Sequence, residues 1–142
     1  MMKTSTIVMI TGGALSVVSL YLACGTFTTF GVDYSAWDLK EAFDSGSGIL
    51  NLLARYAPTF IFVFGICMIF EPIIGMFKPD LYNNRFGYWM IFNGAVLLFF
   101  SIILMIATND LTGIDIAFGE YLLLIASVVA IASAYMNLKD IA

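Results

Sequence analysis

The residues able to do chemistry are few, and the first is an acid in an unfavourable solvent. Glu71 follows the apolar run Ile66-Cys-Met-Ile-Phe70 and directly precedes Pro72. A carboxylate at membrane depth is costly, so it must be paired, neutralised or used. Asn93 interrupts a second apolar run, and Thr11 and Ser133 interrupt two more. The chain has no His, which removes the commonest general base and the usual zinc ligand. Cys24 and Cys67 are isolated and form no CxxC pair, so both read as small packing residues. No Ser, Thr or Cys has a neighbouring base, Gly12-Gly13 is not a phosphate loop, and no metal-ligand spacing occurs. The expectation is a non-enzymatic protein with no cofactor and no metal.

The elements that must position these groups follow from composition. Of 142 residues, 61% are hydrophobic and 11% charged, and the mean hydropathy is +0.97. A soluble domain carries about one quarter charged residues. This chain therefore uses lipid as its outer solvent, and its net charge of −4 offers no footprint for nucleic acid. Four apolar segments, at about 5–24, 56–77, 87–107 and 118–137, each approach the ~20 residues needed to cross a bilayer. The spacing predicts an all-α, antiparallel four-helix membrane bundle in one domain, with a long first loop at 25–55 and short turns at 78–86 and 108–117. The run Leu20-Tyr-Leu-Ala-Cys24 is a degraded lipobox, and the segment before it is long for a signal peptide, so it reads as a retained helix, with a lipoprotein signal as the alternative.

Lys3, Lys78, Arg85 and Lys139 fall on one side of such a bundle, and Lys40 and Arg55 on the other. The bias puts both termini in the cytoplasm of a cell-membrane protein and the long first loop outside. Tyr21, Tyr56 and Tyr121 would mark the outer interface, and Tyr82, Tyr88, Trp89 and Tyr135 the inner one.

Within the outer loop, residues 26–34 are rich in β-formers and predict an extended piece or a short strand. Ser35-Ala-Trp-Asp38 is a capping-box pattern with Asp in place of Glu, starting a short amphipathic helix with Ala36, Leu39 and Phe43 on one face. Trp37, Asp38, Leu39 and Phe43 are the loop residues expected to make contacts. Asp38, Glu41, Asp44, Asp110 and Asp115 follow no EF-hand spacing and read as a solvated acidic face. The stretch Phe30-Gly-Val-Asp-Tyr-Ser-Ala-Trp-Asp-Leu39, after an apolar first helix and before three more, resembles a class of small four-helix membrane proteins of bacteria and archaea. That class has no assigned activity. The layout is also similar to that of claudins and tetraspanins, but the claudin Trp, Gly-Leu-Trp and two-cysteine signature and the tetraspanin Cys-Cys-Gly are absent. The resemblance implies an arrangement and no functional residues.

Inside the bilayer, Glu71 and Asn93 each lie about 9–10 Å from the same end of their helices. Thr11 and Ser133 complete an expected polar layer. Glu71 would be ionised and paired with Lys78 or Arg85, or protonated and donating to Asn93 or to the Met68 carbonyl that Pro72 leaves unpartnered, or lining an ion or proton path. At the outer edge Arg55 and Glu120 are placed to clamp the second and fourth segments. Segment one carries a small-residue seam through Gly12, Ser16 and Ser19, and segment four another through Ala126 and Ala130. Such seams let helix backbones approach in lipid, so these two segments are expected to pack, within the bundle or across a subunit boundary. The expected partners are membrane lipid and other membrane subunits or copies of the chain itself. The expected function is association, as an accessory subunit or self-assembling scaffold. The alternative is a transporter or channel component using Glu71 and Asn93.

Overall fold

A computed structural model describes residues 4–27, 31–44, 48–78, 80, 84–111 and 113–141. Its helices are α1 (Thr4–Ser19), α2 (Ala36–Asp44), α3 (Ile49–Phe77), α4 (Asn84–Asp110) and α5 (Phe118–Ile141). The strands are β1 (Gly25–Phe27), β2 (Val32–Tyr34) and β3 (Ile114–Ile116). Among the described residues, three helices are long and apolar enough to cross a membrane: Ile49–Phe77, Arg85–Asp110 and Phe118–Lys139. Helix α1 is apolar but shorter, at 16 residues.

Helices α1, α3, α4 and α5 close into a ring in which α1 packs on α3 and α5, and α4 packs on the same two. Small residues set the spacing. A Cβ added to Gly12 would lie 3.1 Å from Ala126 O and from Ala130 Cα. One added to Gly13 would lie 2.7 Å from Gly65 O, and one on Gly94 would lie 2.9 Å from Ile131 Cα. Without a hydrophobic drive between helices in lipid, this close approach is what supplies attraction. The Gly12–Ser16–Ser19 and Ala126–Ala130 seams are buried, and α1 meets α5 within one chain. The Ser16 and Ser19 hydroxyls donate to their own helix, to Gly12 O at 2.8 Å and Leu15 O at 2.5 Å.

Helix α1 ends at Ser19, where the apolar pattern predicts Cys24. The reason is competition for backbone groups. Ala36 N–H donates to Leu20 O at 3.1 Å, Gly119 N–H to Ala23 O at 2.7 Å, and Cys24 N–H to Tyr34 O at 2.8 Å. Ala117 N–H donates to Cys24 O at 2.8 Å. Residues 20–24 thus tie the starts of α2 and α5 to Tyr34 of β2 and to Ala117 just after β3, which a continued helix would forbid. Gly119 is required by this junction, since its Cβ would sit 2.7 Å from Ala23 O.

The sheet has order β2-β1-β3, both pairs antiparallel. β1 and β2 fall where extended structure is expected. β3 lies in the 108–117 connection, which reads from the sequence as a short turn. The first loop alone therefore does not make the cap; the first and last connections do so together.

Helix α2 follows the capping-box reading. Ser35 N–H donates to Asp38 Oδ2 at 3.1 Å, and Asp38 N–H donates to Ser35 Oγ at 3.3 Å. Ala36, Leu39 and Phe43 are buried and lie against α3, which begins at Ile49 rather than near residue 56. The added turns give α2 a surface to pack on, and they place Pro58 in the helix interior rather than in its first turn. Replacing Ser35 by Ala removes one half of the box. We expect it to lower stability by about 1 kcal/mol, read as a shift in the unfolding midpoint of the detergent-solubilised protein.

Candidate functional site

Helices α3 and α4 run antiparallel, so residues equally far from their shared turn meet. Asn93 Nδ2 donates to Glu71 Oε1 and Oε2, both at 2.7 Å. Trp89, one turn earlier on the same face of α4, donates its Nε1–H to Glu71 Oε1 at 2.7 Å. Both carboxyl oxygens are thereby met by N–H donors. Asn93 is fully buried, while Glu71 is half-buried and Trp89 exposed. The group thus bridges the interior of the α3–α4 pair and its outer face. Asn93 Oδ1 is buried without a hydrogen-bond partner.

The remaining residues of the expected polar layer are elsewhere. Thr11 is exposed and donates to Ile7 O at 2.9 Å. Ser133 donates to Val129 O at 2.6 Å. In helices a hydroxyl satisfies itself on the carbonyl one turn back, so neither needs Glu71. Lys78 and Arg85 are exposed at the helix ends. Among the described residues, no cation lies within 4.0 Å of Glu71. The acid is held by neutral donors instead. Trp89 reads from the sequence as an interfacial belt residue. Its spacing of four from Asn93, together with its N–H donor, was the signal for its second role. Tyr82 and Lys3 lie outside the described residues.

Removing Asn93 tests this arrangement. We expect Asn93→Leu to destabilise the protein by about 1–2 kcal/mol, with most of the loss recovered in Glu71→Gln/Asn93→Leu, as measured by reversible unfolding in bicelles.

The Arg55–Glu120 clamp does not form. Glu120 is 2% exposed and turns inward, where Thr108 Oγ1 lies 2.5 Å from its Oε1. Its Oε2 is buried without a hydrogen-bond partner. The Arg55 guanidinium lies over the Tyr56 ring, 5.1 Å from its centroid. Burial of the first turn of α5 under the sheet junction explains the change: Glu120 follows Gly119, whose N–H is bound to Ala23. In the cap, beyond the end of α1, burial and then the nearby Glu120 push the Cys24 thiol up to about 12. A thiol in that state is a packing group rather than a nucleophile.

On the first loop, Leu39 and Phe43 belong to the core and offer no contact surface. Asp38 is occupied by the capping box. Trp37 packs between Tyr21 and Phe62, with ring centroids 6.1 and 6.2 Å away. The outward face of the cap is instead carried by the sheet. Thr26 stands opposite Asp33 on one side and Asp115 on the other, and its hydroxyl donates to Asp33 Oδ1 at 2.8 Å. Val32, Asp33 and Asp115 are exposed. Among the described residues, no three His, Cys, Asp or Glu side chains are grouped to hold a metal ion.

These features define a mostly helical protein, with three helices long and apolar enough to cross a membrane and a small antiparallel sheet joining two of its connections. No protein-family model, curated protein or solved structure matches the chain.

Proposed function

We propose that the chain is a non-enzymatic, four-span membrane protein that acts by association, with its sheet cap outside the cell and both termini in the cytoplasm. The observation that carries this reading is the cap. Two connections far apart in sequence are built into one sheet, and residues 20–24 after α1 are bonded to Tyr34, Ala36, Ala117 and Gly119 around it. The bundle does not need such a structure to close its turns, whereas a recognition surface needs a rigid base. That surface is the sheet face shared by the directly paired Thr26, Asp33 and Asp115, a small acidic patch suited to a partner with basic groups. Helix α1 counts as the fourth span because it lies in the ring with the three long helices and turns Ile7, Leu15 and Val18 outward. Its 16 residues rise about 24 Å, and residues 20–24 carry the chain on to the sheet. The protein would serve as an accessory subunit of a membrane complex or as a scaffold of its own copies.

The experiment is extraction of native membranes into polymer-bounded discs without detergent, with the mass and composition of each particle then determined. We expect a second subunit or further copies, lost when Asp33 and Asp115 are both changed to Lys. A lone monomer, or an assembly indifferent to those changes, would sink the proposal. The joined Glu71–Asn93 pair favours one other reading, a component of an ion or proton path. Proteoliposomes that carry flux with the natural chain and none with Glu71→Gln would establish it.

A further inference from the structure

The outer face of α4 near its start is open. A groove of about 410 Å³ runs over Arg85, Tyr88, Trp89 and Phe92, all exposed. These residues recur at one-turn intervals, so the groove follows the helix inward for about 10 Å. The aromatic surface continues beyond it. Phe92 lies 6.4 Å from Phe64, Phe64 lies 6.4 Å from Phe60, and Phe60 stacks on Phe100 at 4.8 Å. The far end of this path is wholly apolar, and its near end is a cation. The first turn of α4 has no acid, and among the described residues no carboxylate lies within 4.0 Å of Arg85. The positive end of the helix adds to that uncompensated charge.

We propose that this groove binds an anionic phospholipid, with its phosphate on Arg85 and one acyl chain laid over Trp89 and Phe92 toward Phe60. A guanidinium meets phosphate oxygens with two parallel N–H donors. Tyr88 and Trp89 suit the glycerol level, where amphipathic rings are at home. Glu71 fixes the direction. Both its oxygens are taken by Trp89 and Asn93 and offer a phosphate no donor, so the headgroup takes the Arg85 end. Glu71 is also a positioning residue, because its Oε1 holds the Trp89 Nε1–H at 2.7 Å and so sets the indole in the groove wall. A single cation at the membrane-surface end of an otherwise apolar track matches a lipid, which carries its charge at one end.

The chain contains two Trp, Trp37 and Trp89, so Trp37→Phe leaves Trp89 as the only indole. The variant is reconstituted with phosphatidylglycerol or phosphatidylcholine brominated in one acyl chain, each diluted into the same unlabelled bilayer. The expected result is quenching that reports about five-fold higher affinity for phosphatidylglycerol, reduced to parity by Arg85→Gln. Equal quenching by the two lipids overturns the proposal, as does a preference that survives Arg85→Gln. Protection of Trp89 from both, the outcome if a protein helix fills the groove, overturns it too. Should Trp37→Phe fail to fold, native mass spectrometry of the full chain with and without Arg85→Gln decides the same question. There, retention of phosphatidylglycerol over phosphatidylcholine by the unsubstituted protein alone is the supporting result.

Discussion

Replacing Thr108 by Val is expected to destabilise the protein by about 2 kcal/mol, although the two side chains have nearly the same shape. Thr108 is fully buried and Glu120 is 2% exposed, so water cannot take over a lost hydrogen bond. The Thr108 hydroxyl has one hydrogen and two oxygens within reach, Leu104 O at 2.8 Å and Glu120 Oε1 at 2.5 Å. Both contacts are satisfied together only if Glu120 carries a proton, donates it to Thr108, and Thr108 donates in turn to Leu104. Valine breaks that relay and leaves a buried carboxyl with neither oxygen bonded, since Oε2 already has no partner. The asymmetry between losing one partner and losing both supplies the control. Thr108→Val/Glu120→Leu should recover most of the loss, because an apolar pair of similar volume leaves nothing unsatisfied. Glu120→Gln should sit within about 0.5 kcal/mol of the natural chain, because its amide can donate to Thr108 as the acid does. A full double-mutant cycle by reversible unfolding in bicelles measures all three. A Gln variant as damaged as the Val variant would mean that Glu120 is held as an anion.

What the sequence made legible depended on how strongly lipid constrains each feature. The three long helices stand out because a bilayer tolerates no unpaired backbone, so long apolar runs have one outcome. The meeting of Glu71 with Asn93 was legible for a geometric reason. In an antiparallel hairpin, equal distance from the shared turn implies equal depth. Helix α2 announced itself through Ser35 and Asp38, a local signal that needs no partner. The failures share the opposite property. The stop at Ser19 is imposed by groups from α2, β2, α5 and Ala117 between β3 and α5, none of them local to it. β3 is three residues long, with Ile114 and Ile116 flanking Asp115, and only pairing with β1 makes it a strand. Thr11 and Ser133 matched Glu71 in depth, but depth does not fix direction, and their hydroxyls found a carbonyl on their own helices. Glu120 misled for a similar reason: its level in the bundle pointed to Arg55, while its rotation about α5 pointed to Thr108.

The largest loss is expected at Gly13. A Val there should cost about 3 kcal/mol or more, enough to separate α1 from α3 in a bundle of this size. Even the Cβ of Ala would stand 2.7 Å from Gly65 O and 3.0 Å from Met68 Cβ. The nearest atom is a backbone oxygen in mid-helix, which moves only if the whole of α3 moves. In lipid, dispersion at short range is the main attraction between apolar helices, and it fades within an ångström of separation. The facing position gives a contrast that packing alone dictates. A Cβ on Gly65 would meet Val17 Cγ2 at 2.8 Å first, and Gly13 O only at 3.2 Å. The first of these is a side-chain methyl that can be removed. Gly65→Ala should therefore be partly rescued by Val17→Ala, whereas Gly13→Ala should not be rescued by shortening Met68. Unfolding midpoints of the four variants in one detergent test this directly. Cysteine crosslinking between outward positions on α1 and α3 then reports whether the helices have parted. If Met68→Ala restored Gly13→Ala, the limiting contact at this crossing would be a side chain, and the backbone approach of Gly13 to Gly65 would not be what holds α1 in the ring.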